Sequence, residues 1–190
     1  MAVLFISEDT IKKSTTINGN VDVELLLPYI KVAQDIHVHQ LLGTKLYDKI
    51  QTLITAATID DGGNEDYETL VDQYIQPVLI HYSLYECVPF LSYKIMNKDI
   101  VRKISETSTP ASLEDIKYMR NIIQNTAEYY ATRLVDYIRH NTDKYPEYST
   151  NTNEDLNPTK DTYFSGINLD TYEQHSRITL RDFLDGSFDV

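Results

Sequence analysis

Apolar residues recur at helical spacing along most of the first 140 positions, and the pattern changes after that. The chain opens on a short apolar run, Val3-Leu4-Phe5-Ile6, which reads as an edge strand or an anchor. Ser7, ahead of Glu8, Asp9 and Thr10, caps a single helical turn ending near Lys13. Asn18-Gly19-Asn20 is a turn. A helix starting near Asp22 then sets Leu26, Ile30, Ala33 and Ile36 on one face, with Pro28 in or near its first turn. Gly43 suits the C′ position that closes it, and Thr44 caps the next helix. There Leu46, Tyr47, Ile50, Leu53, Ile54 and Ala57 form one stripe, with Lys45, Asp48, Lys49 and Gln51 off it.

Asp60 to Asp66 form an acidic loop, after which Tyr67, Leu70, Val71, Tyr74 and Ile75 resume the period until Pro77 breaks or kinks the chain. From Val78 to Met96 nearly every face is apolar, Leu79, Tyr82, Leu84 and Cys87 included, which predicts a central helix bent at Pro89. Asp99 to Ser105 alternates as a short strand. The longest helix starts either at Thr109 with Pro110 at N1, or at Ser112 with Asp115 at N3. Its core face is Ile116, Met119, Ile123, Ala127, Tyr130, Leu134, Tyr137 and Ile138, ending near Asn141. Beyond that, Thr, Asn and Asp dominate, with Pro146 and Pro158, and little periodicity returns before Ile178 to Leu184. The expected fold is mainly α: a bundle of four to five helices over residues 1–141 with a short β strand or hairpin, then a long irregular C-terminal arm over 142–190.

Aromatic content changes the reading of that arm. The chain has 15 Tyr, 5 Phe and no Trp. Tyr joins a large apolar ring to a polar tip, so it serves half-buried core positions and protein interfaces equally well. Purely solvating tails carry few aromatics, yet this one keeps them, which favours an arm that orders on a partner. Its expected anchors are Tyr163, Phe164, Ile167, Leu169 and Tyr172, with a second group at Leu180, Phe183 and Leu184.

A net charge of −12 argues against wrapping nucleic acid or adhering to an anionic membrane, since both draw on dense Lys and Arg. No apolar run is long enough to span a bilayer, and the N-terminus lacks the basic segment of a secretion signal. With one cysteine in 190 residues no internal disulfide forms, which fits folding in a reducing cytoplasm. Lys98, Arg102 and Lys103 form a small basic group that meets an acidic partner surface or is simply solvated.

Candidate chemistry is sparse. His37 and His39 form an H-x-H pair, but residues two apart on a helix point to different faces and do not share a metal. The acidic loop lacks the ligand spacing of a calcium loop. Cys87 sits in an apolar stretch with no basic neighbour in sequence, as a core thiol does rather than a nucleophile. Glu154 and Asp155 lie where nothing holds catalytic geometry. Phosphate loops, dinucleotide fingerprints, zinc helices and nucleophile elbows are not found. The expectation is a non-enzyme without cofactor or metal.

Leu4-Phe5-Ile6-Ser7-Glu8-Asp9, Leu27-Pro28-Tyr29-Ile30, Ala33-Gln34-Asp35-Ile36 and Leu41-Leu42-Gly43-Thr44-Lys45-Leu46-Tyr47 come in succession. Together with Tyr129-Tyr130-Ala131-Thr132-Arg133-Leu134 and Tyr145-Pro146-Glu147-Tyr148, this run resembles a family of small structural proteins of tailed phages and prophages of Bacteroides-type hosts, crAss-like phages included. The resemblance covers most of residues 4–148. It implies a virion head–tail connector: a helical subunit that assembles, commonly as a dodecamer, under the portal protein and extends the DNA channel towards further ring or tail proteins. DNA would pass through such a ring without specific binding. The subunit would be made in the bacterial host cytoplasm and end in the virion neck. The alternative expectation, from a different class, is a regulatory binding module whose C-terminal tail folds on a partner protein. A third, a hydrolase, has no motif behind it.

Overall fold

The chain enters the fold as an extended strap held by one side chain. In the computed structural model, which describes residues 3–17, 21–95, 97, 100–102, 111–150 and 155–158, Phe5 and Ile6 are buried. Gln34, fully buried, accepts from the Phe5 N–H at 2.9 Å and donates from Nε2 to the Val3 carbonyl at 2.9 Å. The same Nε2 lies 2.8 Å from the Tyr47 hydroxyl. Of strand and anchor, the run is thus an anchor. Gln34→Leu would leave a buried N–H and a carbonyl without partners, at a cost of about 3 kcal/mol. Urea denaturation should show that loss, and an unchanged midpoint would mean the strap is held by something else.

Ser7 Oγ accepts from the Thr10 N–H at 3.3 Å and opens α1 (Glu8–Ser14). In α2 (Val23–Ala33), Leu26, Ile30 and Ala33 are buried as their spacing predicts, and Pro28 is the sixth helical residue, in the second turn. A π-helical turn, Gln34–Val38, separates α2 from α3 (His39–Leu42). Its one extra residue per turn rotates everything after it. Ile36, expected on the core stripe, lies within this turn and is 54% exposed, while Val38, Leu41 and Leu42 turn inward.

Gly43 ends α3 at φ +73°, a conformation that favours glycine, and is itself the cap of α4 (Thr44–Thr55). Thr44 is not the expected cap. Its Oγ1 instead accepts from the Leu156 N–H at 2.9 Å. Within α4, Leu46, Tyr47, Ile50 and Leu53 are buried.

Pro77 does not break the chain. Helix α5 (Glu65–Leu70) runs through a second π turn, Val71–Ile75, into α6 (Gln76–Ser92). Proline cannot donate to the carbonyl four residues back. Here the Arg133 Nη1 donates to that carbonyl, Gln73 O, at 3.4 Å. The α6 helix packs against α2 on one side and α7 (Leu113–His140) on the other. Its buried face is Val78, Leu79, Ile80, Ser83, Cys87 and Val88, whereas Leu84 is only half-buried. Of the two possible starts of α7, the chain uses Ser112. The Asp115 N–H donates to Ser112 Oγ at 3.1 Å, and the Ser112 N–H donates to Asp115 Oδ2 at 2.9 Å.

Strands β1 (Tyr93–Ile95) and β2 (Ile100–Arg102) pair antiparallel, Tyr93 opposite Arg102 and Ile95 opposite Ile100. These six residues are the β structure among those described and add no sheet layer, so the fold is mainly α. Of the strand expected over 99–105, Ile100–Arg102 are described as a strand, and Asp99 and 103–105 lie outside the described residues.

Packing does not stop at residue 141. Tyr145 and Tyr148, flanking the start of α8 (Pro146–Ser149), are buried in the core. The Tyr145 hydroxyl donates to the Asp66 carbonyl at 2.9 Å, and the Tyr67 hydroxyl donates to Glu147 Oε2 at 2.8 Å. Further on, the Thr44 N–H donates to the Leu156 carbonyl at 3.0 Å. A Cβ on Gly43 would lie 2.6 Å from Pro158 Cδ. The division expected between 141 and 142 therefore cuts through a packed region.

Candidate functional site

Helix α7 is 28 residues, about 42 Å, long, and its two halves differ. From Ala127 onward it buries Ala131, Leu134, Val135 and Ile138 against the bundle. Before Ala127 only Ile116 is buried. Leu113, Tyr118, Met119, Ile122 and Tyr129 are exposed, from 48% at Ile122 to 68% at Tyr118. At about 100° per residue Tyr118, Ile122 and Tyr129 share one face of α7 with Met119 beside them, whereas Leu113 stands apart on another face. Single exposed apolar side chains are ordinary, but a contiguous set marks an interaction surface.

Part of this set borders a groove of about 370 Å³. Met119, Ile122 and Ile123 form its α7 wall, Leu84, Val88 and Leu91 its α6 wall, and Ile17 and Val21 lie across from them. The groove follows from the geometry of the bundle. The helices α2 and α7 both pack on α6, and the groove opens between the last turns of α6 and the first half of α7. Met119, expected in the core, is accordingly half-exposed on the groove's rim.

A second feature is chemical. The π turn at Gln34–Val38 brings His37 onto Tyr82, with ring centroids 3.8 Å apart and nearly parallel planes. Its Nε2 lies 3.1 Å from Glu86 Oε1. Glu86 Oε2 lies 3.8 Å from Arg120 Nη2, and the Arg120 guanidinium covers the Tyr85 ring at 4.0 Å. Three elements are tied together in this way. The arrangement suits a neutral imidazole that donates to a carboxylate. His39 turns elsewhere, with Nε2 3.0 Å from Thr44 Oγ1 and its ring on Tyr47. The two histidines of the H-x-H pair therefore serve different partners, and among the described residues no cluster of three or more His, Cys, Asp or Glu could hold a metal.

Burial lowers the His37 pKa from its ordinary 6.5, outweighing the opposing pull of Glu86, and burial lowers that of His81 as well. A lowered imidazole pKa means that the unfolded chain takes up a proton which the folded chain resists. The stability these groups contribute is fully present above pH 6.5, the unfolded value, and is lost as the pH falls from there through the lowered folded-state pKa. The melting temperature should fall between pH 7 and 5, and less steeply in His37→Gln; equal slopes in calorimetry would contradict this. Cys87 is almost fully buried and its thiol is pushed up to about 11 by desolvation, so it is protonated at neutral pH.

The residues singled out from sequence fall mostly elsewhere. Lys98 and Lys103 lie outside the described residues, and Arg102 is described by its backbone in β2 alone. Tyr163, Phe164, Ile167, Leu169, Tyr172, Leu180, Phe183 and Leu184 also lie outside the described part. Sequence reasoning missed the exposed α7 set. The available signal was that Tyr118, Met119, Ile122 and Ile123 are too many neighbours for one narrow stripe. In the acidic loop, the Glu65 carboxylate accepts from the Gly63 N–H at 3.0 Å, a local turn contact.

Among the described residues no helix is long and apolar enough to cross a membrane. Residues 38–157 match the model of a family of unknown function, DUF6712. No curated protein and no solved structure matches the chain.

Proposed function

For a chain that belongs to the family of unknown function DUF6712, we propose the role of a structural virion protein, a subunit of the head–tail connector ring that docks under the portal of a tailed phage and extends the DNA channel towards the tail. The observation that carries this reading is the uncovered apolar face of α7, Tyr118, Met119, Ile122 and Tyr129, together with the groove beside it. A single copy leaves that surface in water, and a second molecule removes it. The sequence resemblance over residues 4–148 supplies the kind of assembly. In a closed ring each subunit offers one surface to the neighbour ahead and a different one to the neighbour behind.

Charge supports the same reading. A net charge of −12 on each subunit makes the ring wall repel phosphates, so duplex DNA slides through without being held. The protein acts without catalysis or cofactor in this role, in the virion neck after assembly in the host cytoplasm.

Ile122→Asp tests the role. Ile122 is half-exposed, so the substitution should change stability by less than about 1 kcal/mol. It should abolish co-sedimentation with portal-bearing capsids. A variant that still co-sediments removes the α7 face from the interface. A wild-type protein that ignores the portal and captures a different partner favours the regulatory binding module.

A further inference from the structure

The groove and the end of the described chain lie at opposite ends of the bundle. Tyr29 stacks on Phe90 at 5.0 Å and His37 on Tyr82 at 3.8 Å, so α2 and α6 run antiparallel. Leu84, Val88 and Leu91 of the groove belong to the Phe90 end. Gly43 comes after His37 along the chain, beyond the Tyr82 end. Pro158 is fixed there, with its ring against Gly43 and with Leu156 bonded to Thr44 through both its N–H and its carbonyl.

Past Pro158 the sequence runs on to Val190. Within it, Leu180, Phe183 and Leu184 are spaced i, i+3, i+4 between Thr179 and Gly186, residue types that start and stop a helix. Such a triplet offers one apolar face. The α6 and α7 walls of the groove are aliphatic, and its volume suits a few apolar side chains. The stretch from Pro158 to Leu180, extended at about 3.4 Å per residue, spans roughly 70 Å and reaches well beyond one subunit.

We infer that the groove between α6 and the first half of α7 receives the Leu180, Phe183 and Leu184 face from the C-terminal segment of a neighbouring copy. This rests on the proposed ring role and names one of its contacts. A receptor at one end of the subunit and its ligand leaving from the other make a heterologous contact, the kind that closes into rings. The same chain's segment has the length to fold back, but doing so covers the apolar face and leaves the neighbour nothing to bind.

Cross-linking of full-length chains tests this. Met119→Cys and a tagged Phe183→Cys are mixed under mild oxidation, with and without portal, and Ile122→Cys with Leu180→Cys serves as a second pair should either variant fold poorly. Native Cys87, 1% exposed, gives little background. The expected product is a mixed disulfide pair at twice the 22.0 kDa chain mass, at least tenfold more abundant than the pair formed with Asp136→Cys on the far half of α7. Rings that assemble without the mixed pair overturn the inference and leave the ring reading standing. A mixed pair in chains that never form a ring supports the groove contact and counts against the ring. A link formed only within single chains of the doubly substituted protein assigns the groove to the chain's own segment and overturns the inference. Absence of any mixed pair under all conditions does so too.

Discussion

Leu79→Asp will leave no cooperatively folded protein at 25 °C. Leu79 is fully buried on α6, the helix that packs against both α2 and α7. Removing the leucine costs about 2–5 kcal/mol in lost burial and cavity. Placing a carboxylate there without a partner adds several kcal/mol more, whether it stays charged or takes up a proton. The total approaches the roughly 5–15 kcal/mol that holds a domain of this kind together. Circular dichroism and urea denaturation provide the reading. Leu84→Asp is the control, because Leu84 borders the open groove and its carboxylate can reach water. It should melt cooperatively at a modestly lower temperature. If Leu79→Asp melts like the parent, α6 is not the centre of the bundle.

The second large effect concerns residues 142–158. A chain ending at Asn141 should fail to fold, although the hydrophobic periodicity ends there too. Truncation removes Tyr145 and Tyr148 from the core, the Tyr145 bond to the Asp66 carbonyl, the Lys144 contact with Asp66 at 2.7 Å and the Leu156 bonds to Thr44. Tyr145→Ala alone should cost about 3–5 kcal/mol, the usual range for deleting a buried aromatic ring. Tyr145→Phe keeps the ring, loses the hydroxyl and should cost about 1–2 kcal/mol. A chain ending at Pro158 should melt near the full-length protein. Were the chain ending at Asn141 to melt there as well, the packing of Tyr145 and Tyr148 would be incidental.

Which parts of this fold were legible depends on how far each signal extends along the chain. Helices α4 and α7 repeat their apolar stripes over three or more turns, and Ser112 with Asp115 announces the α7 start in four residues. The π turns leave no such mark. One inserted residue alters no side chain and rotates the residues after it; Ile36, inside the first such turn and at the edge of its stripe, was counted inward and lies outward. Pro77 reads as a break because the sequence does not reveal that Arg133, 56 positions later, reaches the carbonyl that proline leaves free. Tyr145 and Tyr148 are two isolated aromatics among polar residues, too few for a period, and their burial depends on distant elements. Tyr145 meets Tyr67 of α5 and Tyr137 of α7, and the helix that carries Tyr148 packs on α4. The α7 surface is a different case. An apolar stripe looks the same whether or not the rest of the fold covers it, so Met119 could be read as core and yet stand 49% exposed.

If the proposed connector role holds, a portal protein is encoded in the same genome, and native mass spectrometry of the full-length chain with that portal tests the central claim most directly. The portal belongs in the sample because a ring subunit can stay monomeric until a template assembles it. The account predicts portal complexes carrying several copies of the 22.0 kDa chain in one fixed number, with Ile122→Asp absent from them. A chain that stays at 22.0 kDa beside an unchanged portal, at concentrations where wild-type particles assemble, would contradict it.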